Sequence, residues 1–246
     1  MSEPTADSLR NPLSLRHALL VYTAPRSLFA RVEDTGRYGV ALAVLLGLVV
    51  LIGYLRIQTG LIERAVDQST EQRLATLETE QGHLLDRAEL KTRMDDIRKA
   101  AAFDKTLAKL GAVVVTPVYF LASFLLIASV LYSAVALSGR KPEYHTLMSI
   151  CVYAGFIELV GCAIALAMMV YYRTSDVDTS LGMLAPPGTL SFLSAIDPFR
   201  IWFWVLVGIG VCVTRQLSRR WSIITCSVMG LVAIGGRMAL VAAANR

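Results

Sequence analysis

The chain has 246 residues, of which 55% are hydrophobic and 17% charged. A soluble domain carries about 25% charged residues, so an ordinary soluble fold is excluded. The net charge of +5 is spread over short turns, which points to a membrane surface and away from nucleic acid. All four cysteines, Cys151, Cys162, Cys212 and Cys226, fall in apolar runs with no CxxC or Cys/His cluster, so neither a disulfide framework nor a metal site is expected.

Residues 1–37 read as a cytoplasmic N-terminal segment, too long, too polar and too scattered in arginine for a secretory signal. Within it, 13–32 mixes Leu, Phe and Tyr with Arg16, Arg26 and Arg31. That mixture fits an interfacial helix broken near Pro25, and equally a helix packed under a membrane bundle. From 38 to 246 the pattern is that of a five-span membrane domain. The first span is 38–55, where Gly39, Ala43 and Gly47 recur every four residues and offer a smooth face to another helix.

Residues 57–109 are the one large extramembrane element, with ten acidic and nine basic residues. Apolar positions recur at helical spacing, and Glu89/Arg93 and Asp95/Lys99 are spaced to support a helix. Since the chain must return to the same membrane face, two antiparallel helices turning near Gly82 are expected. The mixed charge excludes a nucleic-acid patch and suggests a solvated hairpin or a partner surface.

Two long apolar runs follow, 110–137 and 145–172, joined by the basic turn 138–144. Each exceeds the roughly 20 residues that cross a bilayer, and in lipid such runs must be helices. Pro117 is expected to kink the second span. Residues 173–198 form a loop whose part 183–196, with Pro186-Pro187-Gly188, is expected to dip into the interface; Asp176 and Asp178 are too few for a calcium site. The fourth span, 199–217, opens on Ile201-Trp202-Phe203-Trp204, an aromatic anchor. The fifth, 221–244, is interrupted only by Arg237. Lys and Arg counts in the short segments put the N-terminus inside, the C-terminus outside and the 57–109 hairpin on the extracytoplasmic side.

Two charges are left inside apolar runs, Glu158 and Arg237. Counted from the inner ends of their spans, both lie roughly 20–24 Å deep. A lone charge at mid-bilayer costs about 2.5–3.5 kcal/mol, so pairing is the expected relief. Glu158 shares its helix face with Cys151, Ala154, Gly155, Gly161, Cys162 and Ala165, all small, which marks a close helix contact. A Glu158–Arg237 contact clamping spans three and five is therefore expected, either as a buried structural pair or as part of a proton or substrate relay. No phosphate loop, GxSxG or HExxH occurs, and His17, His83 and His145 lie in separate segments, so neither an enzyme nor a cofactor is expected.

The N-terminal Pro-Arg-Ser-Leu-Phe-Ala-Arg-Val (25–32), the Glu/Gln-rich hairpin, the turn Ser-Gly-Arg-Lys-Pro-Glu-Tyr-His-Thr-Leu and the run from Leu193 to Trp202 together resemble the bacterial-type branch of the YIP (Ypt/Rab-interacting protein) membrane family. The most specific part is Ile196-Asp197-Pro198-Phe199 with Trp202. The resemblance implies an all-α bundle of five transmembrane helices with a cytoplasmic N-terminus. Eukaryotic members are implied to bind Rab-type GTPases through a long N-terminal region with an Asp-Leu-Tyr-Gly-Pro motif; this chain lacks both, so GTPase binding is not expected of it. Many members place a proline in span three, where this chain has Phe156-Ile157-Glu158-Leu159. The expected role is a non-catalytic scaffold or accessory subunit of an inner membrane, with a protein partner or a second copy; the alternative is a transporter or channel component using Glu158.

Overall fold

The computed structural model describes residues 20–35, 38–81, 86–174, 177, 179–184, 193 and 196–244. All long regular elements among them are helices. A helical segment described over 20–23 (α1) and Pro25–Thr35 (α2) are separated by Ala24. Then come α3 Gly39–Gln58, α4 Leu61–Gln81, α5 Arg87–Leu110, α6 Thr116–Leu137, α7 Tyr144–Tyr172, α8 Pro198–Val213 and α9 Arg219–Ala244. The expected turn at Gly82 and the Pro186-Pro187-Gly188 dip lie outside the described residues, as do Asp176 and Asp178.

Among the described residues four helices are long and apolar enough to cross a membrane: Gly39–Gln58, Arg87–Leu137, Tyr144–Tyr172 and Arg219–Ala239. The segment expected as a fourth of five spans is different. Pro198–Val213 is apolar but has 16 residues, about 24 Å of helix against roughly 30 Å of hydrocarbon. Asp197 begins it early, since its side chain accepts the Phe199 N–H (2.9 Å) and Pro198 takes the first helical position, where no N–H is needed.

The chain divides into two units. One contains residues 1–48, 120–162 and 178–246. Its core follows helical spacing on α6, where Phe124, Ala128, Leu131 and Val135 are buried, and on α8, where Phe203, Leu206, Val207, Gly210 and Val211 are. The α7 stretch 146–157 is buried all round, the pattern of a central helix. The segment expected near the headgroups has its apolar side covered by protein: Val21, Leu28, Phe29 and Val32 are fully buried. Tyr22 Oη donates to the Phe156 carbonyl (2.7 Å), and Phe29 lies beside Gly210 and Ile150. The α1–α2 segment therefore runs along α7 between the levels of Phe156 and Ile150, about 9 Å of helix.

The two basic turns of this unit meet. Arg140 donates to the Arg215 carbonyl, Glu143 N–H to Gln216 Oε1 (3.2 Å), and Thr146 Oγ1 to Glu143 Oε2 (3.0 Å). Tyr38, at the start of α3, stacks obliquely on His145 at 6.1 Å. One end of the unit thus gathers the start of α3 with the 138–144 and 214–218 turns.

The other unit contains residues 49–119 and 163–177. Gly60, at φ +69°, closes the two-residue turn from α3 to α4, a backbone state glycine reaches without strain. Helices α4 and α5 pair antiparallel, as expected for the hairpin, and opposite charges close the seam: Lys109–Glu63 at 2.6 Å, Lys105–Asp67 at 2.7 Å and Arg73–Asp104 at 3.7 Å. Arg93 pairs with Glu89 (3.0 Å) as its spacing predicts, whereas Asp95 takes Arg98, one turn on. The second hairpin helix does not stop where the charges stop. It runs through a wide π-helical turn, Gly111–Val115, straight into α6, a continuous 51 residues. That wide turn sits immediately before Pro117, whose ring and missing N–H an ordinary helix interior cannot accept, and Thr116 Oγ1 donates to the Gly111 carbonyl (3.1 Å). The expected disturbance at Pro117 takes this form.

Candidate functional site

The short length of α8 places its capped end at the depth of the two charges singled out above. Glu158 lies 14 residues into α7, about 21 Å from its start, and Arg237 lies 18 residues into α9, about 27 Å from its start. Phe199 packs at Gly161, where a Cβ would stand 2.9 Å from its ring, so the start of α8 is fixed at this level of α7.

Asp197 is the centre of the cluster. Its Oδ1 accepts the Phe199 N–H, its Oδ2 accepts Thr179 Oγ1 (3.3 Å), and Arg237 Nη1 stands 4.0 Å from the same Oδ2. Both partners of that ion pair are largely shielded, with side-chain exposures of 17% for Asp197 and 30% for Arg237. The charged groups that act on Glu158 are the Arg200 guanidinium and the Asp197 carboxylate. Four ionisable side chains from three helices therefore share one region, two acids and two bases, with Asp197 acting on both of the charges expected to meet. A capping carboxylate suits this position for a second reason: α8 turns its positive N-terminal end toward it.

The small-residue seam of α7 is a close contact on two sides. A Cβ at Gly155 would lie 2.5 Å from Phe124 Cζ and 3.1 Å from Leu45 Cδ1, and Gly161 meets Phe199 as described. The α3 face is different: a Cβ at Gly39 or Gly47 would meet nothing within 4 Å, and Ala43 is exposed. Trp202 points outward, 46% exposed, while Trp204 lies against Gly230 of α9.

Four features were not picked out from sequence. Asp197 was seen as part of a motif and not as a helix cap, although Asp followed by Pro at a helix start is a capping signal. Arg200, at the mouth of the apolar run that starts at Phe199, carries no sequence signal that sets it beside Glu158. Gly53, whose Cβ would collide with the Ala112 carbonyl, and Gly210, whose Cβ would stand 2.5 Å from Ile150 Cγ2, are tighter approaches than most of the glycines chosen for their spacing. Neither has a glycine or alanine four residues away to announce it.

Among the described residues no group of three or more His, Cys, Asp or Glu could hold a metal ion. Among the described residues the cysteines form no disulfide, and Cys151 and Cys226 are buried. No curated protein and no solved structure matches the chain. The Yip1 domain model matches residues 19–240, which takes in the helices α2 to α8, the cluster around Asp197 and nearly all of α9. The chain belongs to the Yip1 family of integral membrane proteins.

Proposed function

We propose that this protein is a non-catalytic scaffold or accessory subunit of a membrane, with five spans, a cytoplasmic N-terminus and an extracytoplasmic α4/α5 hairpin. The observation that carries the reading is the engagement of Asp197: the acid caps α8, accepts Thr179 and faces Arg237. A carboxylate so occupied serves assembly of the bundle, in which Glu158 and Arg237 clamp spans three and five through or beside Asp197. The orientation is supported by the meeting of the two basic turns at one end, since clustered Lys and Arg stay on the cytoplasmic side. The short α8 serves as the fourth span, its deficit of about 6 Å covered by its neighbours and by local thinning of a bacterial inner membrane. The uncovered Gly39–Ala43–Gly47 face of α3 and the charged hairpin are the places for a second copy or a protein partner. Neither nucleic acid nor a GTPase is among the partners this reading calls for.

Gentle solubilisation and native-gel analysis test this directly. A stoichiometric partner or a defined oligomer is expected; a lone monomer that conducts protons after reconstitution would refute it. The second reading, a transporter component using Glu158, draws on the partial exposure of that side chain beside Arg200. It requires that Glu158→Gln abolish a pH-dependent flux while leaving the protein level unchanged.

A further inference from the structure

A groove of about 860 Å³ runs between α8 and α9. Its wall is apolar and built partly by absence: Gly208 faces Cys226 and Gly230 faces Trp204, so two glycines leave room where side chains would close the helices together. Its lining extends along α9 from Arg219 to Ile234, about 22 Å of helix. The charged lining residues are Arg219, the first residue of α9, and Arg26 of α2, with no carboxylate among them. Phe29, one turn beyond Arg26, packs beside Gly210 in the last turn of α8, which sets α2 alongside the end of the groove that Arg219 closes.

We propose that this groove binds one phospholipid with an anionic headgroup, the phosphate held by Arg26 and Arg219 and an acyl chain lying along the wall toward Leu231 and Ile234. Charge and shape choose this occupant together. Two exposed guanidiniums with no carboxylate among the lining residues favour an anion at one end, and their positive charge suits phosphate oxygens. A free phosphate would leave the remaining length unfilled. A helix from a second copy would fill the length and leave both guanidiniums without an acceptor. The location at the end that carries the basic turns matches the leaflet in which anionic headgroups meet basic side chains.

Native mass spectrometry of the full chain in mild detergent tests the proposal, with phosphatidylglycerol and phosphatidylcholine of identical chains offered separately. The wild type is expected to retain phosphatidylglycerol in preference to phosphatidylcholine, one molecule per chain. Each arginine contributes roughly a fivefold preference, so R26Q/R219Q is expected to lose about 25-fold of the phosphatidylglycerol binding and much less of the phosphatidylcholine binding, because choline already offsets that phosphate's charge. R26K/R219K is expected to keep most of the preference. Ser227→Phe, which fills the groove and leaves both arginines, is expected to lose both lipids, and glycerol phosphate without chains is expected not to bind. Equal retention of the two lipids by the wild type would overturn the proposal. So would a double Gln variant that holds phosphatidylglycerol like the wild type, a double Lys variant that loses the preference, binding of glycerol phosphate alone, or a dimer that excludes lipid.

Discussion

Asp197 is bound by an amide, a hydroxyl and a guanidinium, so two substitutions separate its capping role from its charge. Asp197→Ala removes the cap, worth about 1 kcal/mol, and strands the polar groups around it for about 1–3 kcal/mol more. Asp197→Asn keeps an acceptor for the Phe199 N–H and is expected to cost only part of the second amount. Unfolding in detergent reads both, and equal losses would show that capping contributes nothing. The glycines make a sharper pair. Gly155→Ala puts a methyl 2.5 Å from Phe124 Cζ and is expected to cost about 1–3 kcal/mol. Gly47→Ala meets nothing and gains helix propensity, so within the isolated chain it is expected to be neutral or stabilising by up to about 1 kcal/mol. The same unfolding measurement checks the contrast, and a destabilised Gly47→Ala would contradict it. Single residues were legible in sequence where they broke a pattern, as Glu158 and Arg237 do in apolar runs. Asp197 stood at the edge of a run that was begun one residue too late, at Phe199, and Gly53 and Gly210 look like any other small residue in a hydrophobic stretch.

The α4/α5 hairpin is held at its base by exposed ion pairs, so its closure depends on pH. Lys109 donates to Glu63 and holds its carboxyl below the ordinary carboxylate range. With the folded value lowered, the pair stabilises the hairpin fully above the ordinary value near 4.5 and is lost as pH falls through the folded value. The helical signal of the full chain is therefore expected to melt at a lower temperature at pH 3 than at pH 7, and Lys109→Gln is expected to reduce that difference. An identical pH response in the variant would remove Glu63–Lys109 from the account. Because both side chains are solvent-facing, high salt is expected to weaken the same contribution. The hairpin itself was legible from alternating charge and helical apolar spacing. The continuous 51-residue helix was not, because the boundary at residue 110 was drawn where composition changes, and nothing there stops a helix. Helix α8 is shorter than the expected span to Leu217 because the apolar run itself ends at Val213: Thr214, Arg215 and Gln216 follow, and the chain turns at Arg215, φ +54°.

At the scale of the whole molecule, the family and the all-helical membrane fold were both readable before any coordinates, since long uncharged runs leave lipid-embedded backbone no alternative to helix. The arrangement that gives the protein its charge cluster was less readable, because it depends on where the short α8 begins against α7 and α9. If the cluster is there to hold the bundle, neutralising it weakens the fold without touching any flux. Measurement of pH-driven proton flux in proteoliposomes separates the possibilities most directly. The account predicts no flux above protein-free vesicles for the wild type, and none for Glu158→Gln, with the variant instead less stable than the wild type. A wild-type flux that disappears in a Glu158→Gln protein of undiminished stability would contradict it.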